Sequence, residues 1–232
     1  MSTPSNPLDL ADWRRSVAEM YAAVRRADPA HRADAWRAFR AARDDLFRKH
    51  PQSPLALVQR DQFETTPYFD YDPTWRIIGE VDADVARDTF VVNLPVDGEF
   101  AYTRVARVRF KAAGMAAALS LFWIEGYGGG IFLPFRDSSN GRDSYGGGRY
   151  LYDTIKGADL GLTAGQIVLD FNYAYNPSCA YNPQWVCPLP PLENQLPFAV
   201  CAGERSFPAP AEPLGSIPNT QAAGRADIPA AA

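Results

Sequence analysis

Residues 100–110 read FAYTRVARVRF, and this run decides the fold class. Tyr102, Arg104, Ala106, Val108 and Phe110 alternate with Thr103, Val105, Arg107 and Arg109. A period of two, rich in aromatic and β-branched residues, marks a strand, because successive side chains point to opposite sides of the pleat. Working outward, the same reading predicts strands at Trp75–Val81, Thr89–Leu94, Ala118–Glu125, Ile131–Arg136, Arg149–Ile155, Ile167–Tyr175 and Phe198–Ala202. Val96-Asp97-Gly98 and Ser139-Asn140-Gly141-Arg142 read as tight hairpin turns, the second as type I′. No helical segment separates these strands, which argues against a doubly wound parallel sheet. The expected fold is mainly β within an α+β chain: an antiparallel β-barrel or sandwich carrying an N-terminal helical hairpin.

That hairpin occupies residues 1–55. Leu10, Trp13, Val17, Met20, Tyr21 and Val24 recur at three- and four-residue steps, with Asp9 as the expected N-cap. Asp28-Pro29 breaks the pattern. A second stripe follows, Trp36, Phe39, Leu46 and Phe47, with Arg37, Arg40, Arg43 and Arg48 expected to lie largely away from it. His31 and His50 sit at helix edges beside charges and read as solvated. The β domain is expected over 75–207, and residues 208–232, rich in Pro, Ala and Gly, read as a disordered tail.

Composition excludes several function classes. Of 232 residues, 47% are hydrophobic and 22% charged, enough for a real core, and the net charge of −4 leaves no basic footprint for nucleic acid. No apolar run approaches the roughly 18 residues of a membrane span, and the start lacks a secretory pattern. The expected location is cytoplasmic, with no membrane partner. In that compartment three cysteines read as free thiols, ligands or reactive groups rather than a stabilising framework.

The candidate site is the segment DFNYAYNPSCAYNPQWVCPLPPLE, Asp170–Glu193. It carries Tyr-Asn-Pro twice, at 175–177 and 181–183, among Cys179, Trp185 and Cys187. A long loop this aromatic is more than a connection. Asp170 ends a strand and, with Glu193, is a candidate general acid or base; an arginine such as Arg149 is suited to clamping an anion. Tyr145, Asn172, Tyr175, Asn176, Cys179, Tyr181, Asn182, Cys187 and Asn194 complete the candidate ligand-binding set. Arg149 and Asp170 are expected to face one shared pocket, and Arg149→Met to abolish binding while keeping the fold. Cys179 and Cys187, separated by seven residues, do not make a zinc site by themselves, and no metal is assigned. Gly126–Gly130 and Gly146–Gly148 are followed by strand-like residues and so do not fit the dinucleotide fingerprint.

Two motifs carry a resemblance. Phe132-Leu133-Pro134-Phe135-Arg136-Asp137 with Ser144-Tyr145-Gly146-Gly147-Gly148-Arg149-Tyr150-Leu151, and then the Asp170–Glu193 stretch with Asn194 and Ala202-Gly203-Glu204, are similar to the prokaryotic domain-of-unknown-function family number 1684. The likeness runs from about Trp13 to Phe207. It implies that Arg149, Asp170, Asn172, Tyr175, Asn176, Cys179, Cys187, Glu193 and Asn194 belong to a family pattern, and it implies no activity. Where the family pattern has Thr before Tyr, this chain has Ser144.

Three functions suit these residues: small-molecule binding in a pocket under the 175–193 loop, an enzyme using Asp170 or Glu193 with Arg149 holding an anionic substrate, or a protein-interaction module. The absence of a recognised nucleophile motif favours the first. The residues name no cofactor and no oligomeric state.

Overall fold

The computed structural model describes residues 6–94, 98–163 and 165–208. The expected turn at Val96-Asp97-Gly98 and the tail from 209 onward lie largely outside the described residues. Helix α1 (Pro7–Arg26) is capped by Asn6, whose side chain accepts from the Leu8 N–H at 3.0 Å; Asp9 instead sits in the first turn. Pro7 at the first position and Arg25 and Arg26 in the last turn suit the two helix ends. Helix α2 (Arg32–Lys49) follows a short 3-10 turn, and α3 (Leu57–Gln62), which the apolar pattern had not marked, follows α2.

The strands are β1 (Arg76–Asp82), β2 (Thr89–Leu94), β3 (Gly98–Ala112), β4 (Met115–Ile124), β5 (Gly130–Phe135), β6 (Arg149–Asp153), β7 (Leu162–Thr163) and β8 (Gln166–Asp170). All pair antiparallel, in the order β6-β5-β4-β3-β1-β8-β7. β2 pairs with the first half of β3 and β1 with the second half. The result is an open, curled half-barrel sheet.

Strand β3 does not keep one face. Opposite β4, Arg104 pairs with Phe122 and Ala106 with Leu121, so Val105 is an extra residue in a β-bulge. The insertion reverses which side the later residues face. Tyr102 therefore packs with Phe122, Ile124, Phe132 and Tyr150 in one apolar cluster. Ala106, Val108 and Phe110 pack with Leu119, Leu121, Leu133 and Phe135 in another. A single alternating run thus feeds cores on both sides of the sheet.

The helices close the larger cluster with Val17, Tyr21, Trp36 and Phe39. Tyr21 meets Phe39 edge-on at 5.1 Å, and Phe39 meets Tyr173 at 4.9 Å. Each such buried side chain stabilises by about 1.5–3 kcal/mol, which outweighs the marginal stability of a lone helix of this length. The buried stripe of α2 is Trp36, Phe39, Arg43 and Phe47. Arg43 thus lies on the inward face, against the expectation from charge. His50 is likewise mostly covered, edge-on to Trp13 at 5.2 Å and 3.3 Å from Asp12.

Three predicted elements change form. The strand expected at 167–175 stops at Asp170, whose carboxylate caps a 3-10 turn at Phe171–Tyr173. Asn140-Gly141 makes no type I′ turn: Gly141 has φ +81°, but Ala113 is the one non-glycine residue with positive φ among those described. The segment at 198–202, with bends at Phe198 and Ala202, pairs with no strand, for a reason that lies in Arg149.

Candidate functional site

Arg149 is fully buried at the start of β6. Its guanidinium donates to the carbonyls of Val200 at 2.8 Å, Ala202 at 2.5 Å and Glu204 at 3.0 Å, and to Asp137 Oδ2 at 2.9 Å. The three carbonyls fall at alternate positions of the chain, and one guanidinium gathers them as a partner strand would. Asp137 Oδ1 accepts from the N–H groups of Val200 at 3.1 Å and Ser139 at 2.8 Å. Arg149 pairs with Asp137, and the structure does not bring it to Asp170.

The segment held by Arg149 ends in Glu204, itself fully buried. Its carboxylate accepts from Arg43 Nε at 2.5 Å, the Asn176 N–H at 2.7 Å, Tyr68 Oη at 3.1 Å and Tyr181 Oη. Gly203 makes this approach possible: φ is +77°, and a Cβ there would lie 2.5 Å from the Ala174 carbonyl. Two residues of the Tyr-Asn-Pro copies, Asn176 and Tyr181, therefore bind an internal carboxylate. The sequence reading names Ala202-Gly203-Glu204 only within the family pattern and places Arg43 outward, although an arginine in register with Trp36, Phe39 and Phe47 is a visible signal.

Other candidates also join segments. The Asn194 side chain donates to the Ser120 and Pro134 carbonyls at 2.9 and 2.7 Å and accepts from the Ser120 N–H at 2.7 Å, bridging β4 and β5 where they part. Glu193 binds Arg104 through both oxygens, at 3.0 and 2.5 Å. The Asn172 side chain accepts from the Asp72 N–H at 3.0 Å and donates to the Asp72 carbonyl at 2.8 Å. Tyr175 pairs backbone to backbone with Tyr150, and Asn182 accepts from the Gln184 N–H at 3.0 Å.

Asp170 stands apart from these. It lies on a cleft of about 380 Å³ whose lining includes Arg25, Arg32, Arg76, Leu160 and Tyr173. None of the lining residues comes from 175–193. Arg76, opposite Asp170 in the β1–β8 register, holds its Nε 3.8 Å from the carboxylate. Arg25 is tied to Asp159, whereas Arg32 makes no hydrogen bond or ion pair among the described residues. Burial pushes the Asp170 carboxyl up to about 6, against the pull of the Asn172 hydrogen bonds and Arg76. Three guanidiniums and a carboxyl that changes charge near neutrality thus share one small concavity.

A family model described as a protein of unknown function, DUF1684, matches residues 61–205, more than half of the chain. The chain belongs to this family. The match holds Asp137, Arg149, Asp170 and Glu204, while the helices that supply Arg25, Arg32 and Arg43 precede it. The solution NMR structure of an uncharacterized protein of Haloarcula marismortui is 36% identical, covers 73% of this chain and 91% of its own, and has a TM-score of 0.55. No curated protein matches.

The DUF1684 chain also places two thiols together. Cys187 Sγ accepts from the Cys179 N–H at 3.4 Å, and Cys179 Sγ from Tyr145 Oη at 3.6 Å; both cysteines are half-buried. Among the described residues no three His, Cys, Asp or Glu side chains converge as a metal site, and no helix is long and apolar enough to cross a membrane.

Proposed function

We propose that this DUF1684 chain binds a small anionic molecule in the Asp170 cleft. The observation that carries the reading is the convergence of Arg25, Arg32 and Arg76, from α1, α2 and β1, on one concavity. Its volume suits a small ligand. Guanidinium forks match carboxylate or phosphate oxygens, and Arg32 has no competing partner among the described residues. The buried Arg149 is not available for this role, since carbonyls and Asp137 occupy both terminal nitrogens.

One observation favours an enzymatic reading of the same cleft. A carboxyl titrating at about 6 is placed to exchange a proton at neutral pH, whereas Glu193 is committed to Arg104. Asp170 would then act as the acid or base beside a substrate held by Arg32 and Arg76.

Thermal-shift titration with inorganic phosphate and with succinate tests the binding reading, alongside native mass spectrometry of the freshly purified chain. A saturable rise in Tm with either anion, lost in Arg32→Gln and Arg76→Gln, is expected. No shift with either anion and no carried mass would overturn it.

A further inference from the structure

The loop between Tyr175 and Glu193 carries chemistry that the Asp170 cleft does not use. Two of its side chains, Cys179 and Cys187, are neighbours in space and neither is fully covered. Their surroundings differ. Cys187 Sγ receives the Cys179 N–H, and its thiol is lowered to about 7 by hydrogen bonding with the Cys179 thiol and by Lys156 nearby. Cys179 receives the Tyr145 phenol, and its own thiol is pushed up by the bond to Cys187 and by burial. Each sulfur thus accepts one hydrogen bond, and the two side chains stand next to each other in one half-buried loop, the arrangement that dithiol exchange requires.

We propose that Cys187 and Cys179 form a thiol–disulfide exchange site for low-molecular-weight disulfides. The Cys187 thiolate attacks one sulfur of the small disulfide, forming a mixed disulfide and expelling one thiolate, which takes up a proton. Cys179 then loses its proton and attacks Cys187 Sγ. The Cys179–Cys187 bond forms as the second small thiolate leaves. Two protein thiols are oxidised and one small disulfide is reduced to two thiols, so no further oxidant is needed. The anchors of the loop are elsewhere, at Glu204 through Asn176 and Tyr181 and at Arg104 through Glu193. Closing the pair therefore leaves the sheet intact.

Cys201, exposed and without a second cysteine beside it, serves as an internal reference. The full-length reduced chain is exposed to oxidised glutathione, quenched with acid and mapped by peptide mass spectrometry. The internal Cys179–Cys187 disulfide should form roughly tenfold or more faster than glutathione adds to Cys201, as expected of a thiolate-forming pair against an ordinary thiol. Cys179→Ser should stall with glutathione on Cys187, and Cys187→Ser should leave Cys179 no more reactive than Cys201. An adduct on Cys201 that forms before the internal disulfide in the unaltered chain overturns the proposal, as does a mixed disulfide on Cys187 that persists with Cys179 present.

Discussion

The chain holds two kinds of arginine–carboxylate arrangement, and their difference separates fold from function. At Arg149–Asp137 and Arg43–Glu204 the carboxylates are buried and take several donors each, from backbone and side chains alike. Such groups are held in place because leaving any one of them alone in the interior costs several kcal/mol. At Asp170 the nearest guanidinium is 3.8 Å away, Arg32 has no partner among the described residues, and a cleft lies between them. The buried pairs tie the chain together. Asp170 takes the Asn172 hydrogen bonds, and it is the cleft's guanidiniums that have capacity left for a ligand.

The largest expected effect breaks the buried side. Arg149→Met strands the Asp137 carboxylate and leaves three carbonyls without their donor, so a loss of at least about 3–5 kcal/mol is expected, read from chemical denaturation. This reverses the expectation that Arg149→Met keeps the fold; a variant with native stability would return Arg149 to the candidate ligand-binding set. Asn194→Leu removes three bonds between β4 and β5 and should cost about 2–3 kcal/mol in the same assay. A loss below about 0.5 kcal/mol would mean that the strands rejoin without it.

Asp170 should act in the opposite sense. Its folded-state value of about 6 lies above the ~3.9 of an unfolded aspartate, so the folded chain holds this proton more tightly. The stability linked to it is full below about pH 4 and is lost as pH rises through about 6. Asp170→Asn should flatten that slope and stabilise the chain at pH 7 by up to about 3 kcal/mol. A steeper slope would show that its charge is stabilising. The smallest effect is expected at Arg32, where Arg32→Gln should change stability by less than about 0.5 kcal/mol while weakening anion binding.

Much of the fold is legible in the sequence because alternation and turn residues are local. Seven of the expected strands correspond to β1, β2, β3, β4, β5, β6 and β8, with ends shifted by a few residues. What escapes is non-local. The bulge at Val105 is invisible in FAYTRVARVRF, since the alternation continues through it and only the partner strand reveals the extra residue. The segment at 198–202 has a strand's pattern and a guanidinium for a partner. The site divides similarly. The Tyr-Asn-Pro loop drew attention by its composition, yet Asn176 and Tyr181 turn inward to Glu204. Asp170 is marked by its place at a strand end, but two of the three arginines beside it, Arg25 and Arg32, come from helices that periodicity alone reads as scaffolding.

The pH dependence of sulfate binding, measured by isothermal titration calorimetry, tests the cleft most directly, because sulfate keeps its charge between pH 5 and 8. Arg32, Arg76, Tyr71 and Tyr173 surround Asp170, and burial pushes both tyrosines further above that range. Affinity should be highest near pH 5 and fall by up to about tenfold per pH unit above about 6, as the Asp170 carboxylate forms beside the anion. Asp170→Asn should bind sulfate equally well at both ends of the range. Binding that is independent of pH in the unaltered chain, or that survives Arg76→Gln, would contradict the assignment of this cleft.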